Sequence, residues 1–298
     1  MTLYSDYTQI GNDKYYNRDL EARQALNNLG ALAAKNQVAL ATDVSGTLPV
    51  ANGGTGANNK EQARTNLEVA KSGGNLNVYV STSGNDSTGD GSSNKPFRTI
   101  QRAINYCGVA SEYIIYISAG TYSEHLEIRG KKICFIPIGS VTITHNSNRT
   151  IDLFNAMLYV DFGNSADNIL RIDNTCSGGG NNTCIYVSEG SQFLVFGGVD
   201  NTIKMHSDHG FCLTVWRGSS ASVQSADLEI VNSLSGVHSD GATIKLRYIK
   251  GTCSSYGLVA STGGTLGFES NYMTAGTAAM ARTGGRIYTG GQTSMYNY

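Results

Sequence analysis

Charge is scarce in this sequence. Charged residues make up 15% of the 298, against about 25% in an average globular domain, and the net charge is −1. A nucleic-acid footprint needs a basic patch or stripe, and there is none. Long apolar runs are missing too: no stretch approaches the roughly 18 residues of a membrane span. The first residues, MTLYSDYTQIGNDKYYNRDLE, have neither a basic n-region nor an apolar h-region. No secretory signal is read there, and folding in a cytoplasm is expected. The six cysteines, Cys107, Cys134, Cys176, Cys184, Cys212 and Cys253, include no C-x-x-C pair. They are expected as small buried hydrophobes rather than disulfides. Cys176 and Cys184, which flank a Gly/Asn loop, are the pair to watch for a bridge.

Small residues fill the gap. There are 36 glycines against three prolines, with many Ser, Thr and Asn. This is what stacked, sharply turning coils need. A disordered chain would also be poor in apolar residues, whereas here they make up 40%, enough for a core.

The chain divides into two textures, residues 1–75 and 76–298. The first contains two short helical patterns, Leu20 to Leu29 and Asn58 to Leu67, both carrying A-R-x-x-L. Each is shorter than the roughly 12 residues an isolated helix needs. The Gly-rich stretch Gly46 to Gly56 lies between them. No piece can bury a core alone, so the segment is either a linker or is ordered by copies of itself. Leu48-Pro49-Val50-Ala51-Asn52-Gly53-Gly54-Thr55-Gly56-Ala57, followed by Ala63-Arg64-Thr65-Asn66-Leu67, resembles the "LPVANGGTGA…ARTNL" element of bacteriophage tail fibres. The resemblance implies a slender homotrimeric shaft near the virion-attached end. Leu48, Pro49, Val50, Gly53, Gly54 and Leu67 are then the trimerisation residues.

The second segment opens with the strand Asn77 to Val80, a Gly/Asp loop, and Lys95-Pro96-Phe97-Arg98-Thr99-Ile100-Gln101-Arg102-Ala103-Ile104, whose Ile100, Ala103 and Ile104 are at helical spacing. The strand Tyr113 to Ile117, a turn at Ala119 to Tyr122 and the strand Leu126 to Ile128 follow. "V-x-x-x-G-N-D…P-F-x-T-I-Q-x-A-I…A-G-T-Y" resembles the start of pectin-lyase-like β-helices, phage tailspikes included. The resemblance implies a helix that caps the N-terminal end of the solenoid.

A repeat supports the same architecture from the residues alone. Gly190, Gly218, Gly241, Gly263 and Gly284 are spaced by 28, 23, 22 and 21. Three residues after each come Phe193, Ala221, Ile244, Leu266 and Ile287. Five after come Val195, Val223, Leu246, Phe268 and Thr289. Five before come Ile185, Leu213, Gly236, Leu258 and Ala279. Alternate residues face one side of a strand, so these columns are expected inside the coil. The expected fold is all-β, a right-handed parallel β-helix behind a short helical or extended N-terminal fibre shaft.

Tailspikes with this fold often cleave glycans, which the resemblance makes an expectation to weigh. Glycoside hydrolysis needs two carboxylates about 5 to 9.5 Å apart, a distance that neighbouring rungs provide. The candidates are Glu189, Asp200, Asp208, Asp227, Glu229, Asp240 and Glu269. Asp227 and Glu229 share a face of a regular strand and are the weak catalytic candidates; as a class these acids read as turn and solvent-face groups. Met205-His206-Ser207-Asp208-His209 is read as a loop between coils, because near-adjacent residues of a strand cannot all converge on one metal ion. No G-x-S-x-G elbow is present. The Ala119 to Tyr122 turn also resembles pectinesterases, but no match to their catalytic Asp/Arg motifs is found. Neither metal nor cofactor is expected.

Aromatics offer a binding alternative. Trp216 and Arg217 precede Gly218 at a turn, and Tyr288 lies near the C-terminal end. These are the candidate glycan or receptor contacts, though aromatics suit trimer packing equally. Three readings stand: a structural, host-adhesive subunit of a phage tail, assembled in the host cytoplasm and carried on the virion; a glycan depolymerase; and a connector that docks another fibre. The expected partners are two further copies of the chain, phage tail or baseplate proteins at the N-terminus, and host surface glycan. Nucleic acid and membrane insertion are not expected.

Overall fold

The computed structural model describes residues 76–289 except 110, 164, 166, 179–181 and 198–200. Of the first 75 residues it describes 7–10, 13–16, 24, 25, 27, 54–57, 63, 66 and 67. The chain divides into two compact units, Met1–Glu68 and Val69–Tyr298.

In the first unit β1 (Tyr7–Ile10) and β2 (Asp13–Tyr16) form an antiparallel hairpin that the helical patterns did not foretell. Residues 24, 25, 27, 63 and 66 are helical. Asn66 Nδ2 donates to the Thr55 carbonyl at 2.8 Å, tying the Gly-rich stretch to the second helical pattern. Leu48, Pro49, Val50 and Gly53 lie outside the described residues. Gly54 is half-buried and Leu67 exposed.

The second unit is a right-handed parallel β-helix of three faces. A seven-stranded face holds β5 (Leu126–Arg129), β7 (Arg149–Phe154), β10 (Thr183–Ser188), β13 (Phe211–Trp216), β15 (Ser235–Asp240), β17 (Tyr256–Ser261) and β19 (Thr277–Ala281). The other two faces share one long hydrogen-bonded path. The second face takes β3 (Asn77–Val80), β8 (Met157–Asp161), β11 (Gln192–Phe196), β20 (Arg286–Thr289) and the first halves of β4 (Glu112–Ser123), β6 (Lys132–His145), β14 (Ser220–Ser233), β16 (Thr243–Cys253) and β18 (Thr265–Thr274). The third takes their second halves with β9 (Ile169–Asn174) and β12 (Thr202–Ser207).

The inward columns stack in register. Phe193, Ala221, Ile244, Leu266 and Ile287 are successive rung partners and all are buried. The third column needs one correction. Leu213 pairs with Val237, and Val237 with Leu258, so Val237 rather than Gly236 belongs to it. The cause is the turn: Trp216 to Ser220 spans one residue more than its rung partner Asp240 to Thr243.

Two further corrections follow from alternation. The Ala119 to Tyr122 turn is a bend within the continuous strand β4, with a register shift between Ser118 and Gly120. Met205 to Ser207 are strand, not loop, because Ile203 and Met205 point into the core. All six cysteines are free, five of them buried and Cys176 half-buried.

Helix α1 (Ile100–Tyr106) packs against β3, β4 and β5 and buries Ile100, Ala103 and Ile104. Thr99 caps it, accepting from the Arg102 N–H. Both Glu124 carboxylate oxygens accept first-turn N–H groups, from Ile100 and Gln101, at 2.8 Å each. Asp86 holds the approach, accepting from the N–H groups of Arg98 and Thr99.

Candidate functional site

Each strand of the seven-stranded face sends two side chains inward and their neighbours outward. The rungs lie about 4.8 Å apart, so outward side chains form two columns. One runs Glu127, Asp152, Tyr186, Thr214, His238, Val259, Met280. The other runs Arg129, Phe154, Ser188, then Trp216, Asp240, Ser261, and Arg282 follows β19 on the next rung.

Aromatic rings on this face are covered by guanidinium groups. Arg129 lies 3.9 Å from the Phe154 ring centroid, Arg149 3.6 Å from Tyr186, Arg217 5.5 Å from Trp216 and Arg282 5.3 Å from Tyr256. Such contacts set a cation against the face of a ring, where the ring quadrupole attracts it. Tyr186 and Trp216 lie side by side, 6.5 Å between centroids. Trp216 is 38% exposed, large for an aromatic in a folded strand.

The acids divide into two groups. Toward the N-terminal coils they are ion-paired: Glu127 with Arg129 at 2.6 Å, and the buried Asp152 with Arg149 and His125, each at 3.0 Å. The Arg129 hydrogen bond holds the Glu127 carboxyl below its ordinary range. Toward the C-terminal coils Asp240 is buried and accepts from Ser261 Oγ at 3.3 Å. Among the described residues, Arg217 and Arg282 have no carboxylate partner. Burial pushes the Tyr186 phenol up and the His238 imidazole down. His238 stacks on Phe211 and reaches Ser261 Oγ at 2.9 Å.

The sequence-predicted residues are spread over all three faces. Trp216 and Arg217 belong to this site. Tyr288 lies on the second face, opposite Gly267, and does not join them. Asp227 and Glu229 share the third face, as i, i+2 residues must. Each is held by a lysine from a neighbouring rung: Asp227 by Lys250 at 3.1 Å and Glu229 by Lys204 at 3.5 Å. Asp208 pairs with His206 at 3.0 Å, Glu269 with Arg247 at 3.9 Å, and Asp200 is outside the described residues. No group of His, Cys, Asp and Glu suited to a metal ion occurs among the described residues. Asp152, Arg149, Tyr186, His238 and Ser261 were missed. The signal was partial: Tyr186 follows the column residue Ile185, whereas Arg149 and Asp152 precede the columns counted from the glycines and are aligned only by rung pairing.

A family described as "Protein of unknown function (DUF1565)" matches residues 82–130. Pectinesterase 2 of Citrus sinensis is 33% identical over 134 residues, 41% of this chain and 26% of that protein. The chain thus spans about a quarter of the curated relative it matches. The crystal structure of the Aspergillus niger pectin methylesterase, in deglycosylated form, superposes with a TM-score of 0.35 at 15% identity, covering 76% of this chain and 89% of the enzyme.

Proposed function

We propose that this chain is the host-adhesion subunit of a phage tail fibre or tailspike, and that its seven-stranded face binds a surface polysaccharide. The observation that carries the reading is the pair Tyr186 and Trp216, side by side on the seven-stranded face with Arg149 and Arg217 against their rings. Sugar rings stack on aromatic faces, and an extended chain can follow successive rungs. Arg217 and Arg282, without carboxylate partners among the described residues, favour a glycan that carries acidic groups. The tail-fibre resemblance of residues 48–67 supports attachment through the N-terminal unit, in a homotrimer that assembles in the host cytoplasm and joins the virion tail.

Cleavage of the glycan backbone is disfavoured. Glu127 and Asp152 are rung partners, close enough for a two-carboxylate mechanism. But Arg129 and Arg149 pair them, and the Arg129 bond holds Glu127 below its ordinary range, whereas a general acid needs a raised pKa to keep its proton. Asp152 and Asp240 lie three rungs apart, about 14 Å, beyond the span for such a pair. The connector reading, which needs no glycan, predicts no binding at all.

The test is incubation of the purified full-length protein with host capsule or lipopolysaccharide, followed by sedimentation and by chromatography of the products. Retention of the polysaccharide with no defined oligosaccharides is expected. Oligosaccharide release would hand the function to a depolymerase, and absence of binding would leave the connector.

A further inference from the structure

Ser261 ends β17 with its hydroxyl between two ionisable side chains. His238 Nε2 is 2.9 Å from Ser261 Oγ, diagonal to it on the neighbouring rung. Asp240 is its rung partner on one side, with Oδ1 3.3 Å from the same hydroxyl. Arg282 occupies the next rung on the other side, where its backbone N–H donates to Ala260. The imidazole is held flat by Phe211, 4.9 Å between ring centroids. Immediately after Ser261 the chain turns through Thr262 and Gly263, both left-handed, at φ 53° and 76°. Thr262 pays a strain cost at a backbone conformation that L residues rarely adopt, and the turn leaves Ser261 at the rim of the face, half-buried.

We propose that Ser261 and His238 are the nucleophile and general base of an ester-cleaving site, which removes O-acyl groups from a sugar alcohol. Short side-chain contact between a hydroxyl and an imidazole is the first geometric requirement of nucleophilic catalysis. With the proton on Nδ1, Nε2 accepts from the Ser261 hydroxyl once that hydroxyl turns from Asp240 Oδ1, since it has one proton to donate. Ser261 Oγ attacks the ester carbonyl carbon, and its proton passes to His238 Nε2. The tetrahedral intermediate expels the sugar alkoxide, which takes that proton back. Water then attacks the acyl-serine and gives a proton to His238; the intermediate expels Ser261 Oγ, which takes that proton, and the carboxylic acid leaves, so Ser261 and neutral His238 are restored and no oxidant or reductant is consumed.

The neighbouring charges fit those roles. Burial, with a smaller contribution from Arg282, holds His238 below its ordinary range, so it is a neutral base at pH 7. Asp240 acts in the opposite direction and favours the imidazolium that forms during attack, through its charge alone, because its hydrogen bond goes to Ser261 rather than to the imidazole. The Arg282 guanidinium donates to the Tyr256 hydroxyl at 3.3 Å and adds a positive charge near His238. Trp216 lies two rungs away in the same column, about 10 Å, so a sugar stacked there presents the next residue of its chain to Ser261. That the ester is carried on a bound glycan rests on the proposed function above; the nucleophile does not.

The experiment is labelling of the intact protein with an alkyl fluorophosphonate, located by peptide mass spectrometry. The parent is expected to carry the adduct on Ser261. Ser261→Ala should abolish it, and His238→Gln should slow it by about 100-fold or more, both with unchanged thermal midpoints. Labelling should rise with pH through a midpoint below the usual imidazole value, since burial, aided by Arg282, outweighs the opposing charge of Asp240, the other charged group that faces His238. No adduct in the parent, an adduct on another serine, or labelling that ignores His238→Gln would overturn the proposal. If polysaccharide binding persists while labelling fails, only this inference falls; if labelling succeeds without binding, only the adhesion reading does.

Discussion

Arg149 bonds and stacks at once: its Nη1 donates to Asp152 at 3.0 Å while its guanidinium lies 3.6 Å from the Tyr186 ring. One side chain thus joins β7 to β10 and fixes the slope of the ring that begins the aromatic strip. Arg149→Leu leaves a buried carboxylate with only His125 for company. It should destabilise the protein by about 2 kcal/mol, whereas Arg149→Lys, which keeps charge but loses the planar stack, should cost less. Urea unfolding of the two variants checks both.

Trp216 projects from the sheet, so its removal should affect binding more than folding. Trp216→Ala is expected to weaken polysaccharide binding about tenfold or more and to leave the thermal midpoint within a degree or two. Isothermal titration and melting curves on the same preparation test this. A loss of binding accompanied by a large drop in midpoint would count against it.

The register makes a sharper demand. Ile244→Asp and Val237→Asp each place a charge among buried rungs and should cost several kcal/mol. Gly251→Ala should also destabilise strongly, because a Cβ there would lie 1.8 Å from the Ile230 carbonyl oxygen on a backbone with φ of 118°. Circular dichroism melts that match the parent would contradict the assigned rungs.

Acidification has a defined sign. Burial lowers the folded-state pKa of both His145 and His238. The unfolded chain therefore binds more protons between those lowered values and the ordinary imidazole value near 6.5. Stability should be fully present above that window and fall as pH drops through it. The double variant His145→Gln/His238→Gln should show a flatter dependence of the midpoint between about pH 7 and 5.

Asp227→Ala and Glu229→Ala should leave polysaccharide binding unchanged and shift stability by no more than about 1 kcal/mol, because each forms a partly exposed pair with a lysine. Sedimentation with polysaccharide and denaturant titration are sufficient. A loss of binding in either variant would move the binding site to the third face.

The solenoid was legible because its inward residues obey two periods at once, two along each strand and about 22 between coils. Ile244, Leu266 and Ile287 needed nothing more. Gly236 was misplaced because a turn shorter by one residue shifts every earlier position by one, and a column counted from the glycine cannot register that. The site was less legible for a different reason. Asp152, Tyr186 and Trp216 come from coils of different length: Ile151 pairs with Ile185, 34 positions on, and Leu213 with Val237, 24 on. Outward residues carry no apolar signature, so only the rung pairing aligns them. Asp227 and Glu229 stood out as close acids in sequence, but their lysine partners come from other rungs and leave no local trace.

From Ile151 onward the coils shorten, from 34 positions between Ile151 and Ile185 to 21 between Val237 and Leu258 and again between Leu258 and Ala279. The interior thins with them: Ile172, Met205 and Ile230 give way to Gly251, and Val215 to Ser239 and Ala260. Each rung is supported only by its neighbours, so a graded interior gives the described solenoid a mechanical polarity. Under load or heat it should peel from the β19 and β20 end while the wide coils around Asp152 and Tyr186 stay wound, so the first aromatic contact outlasts the last.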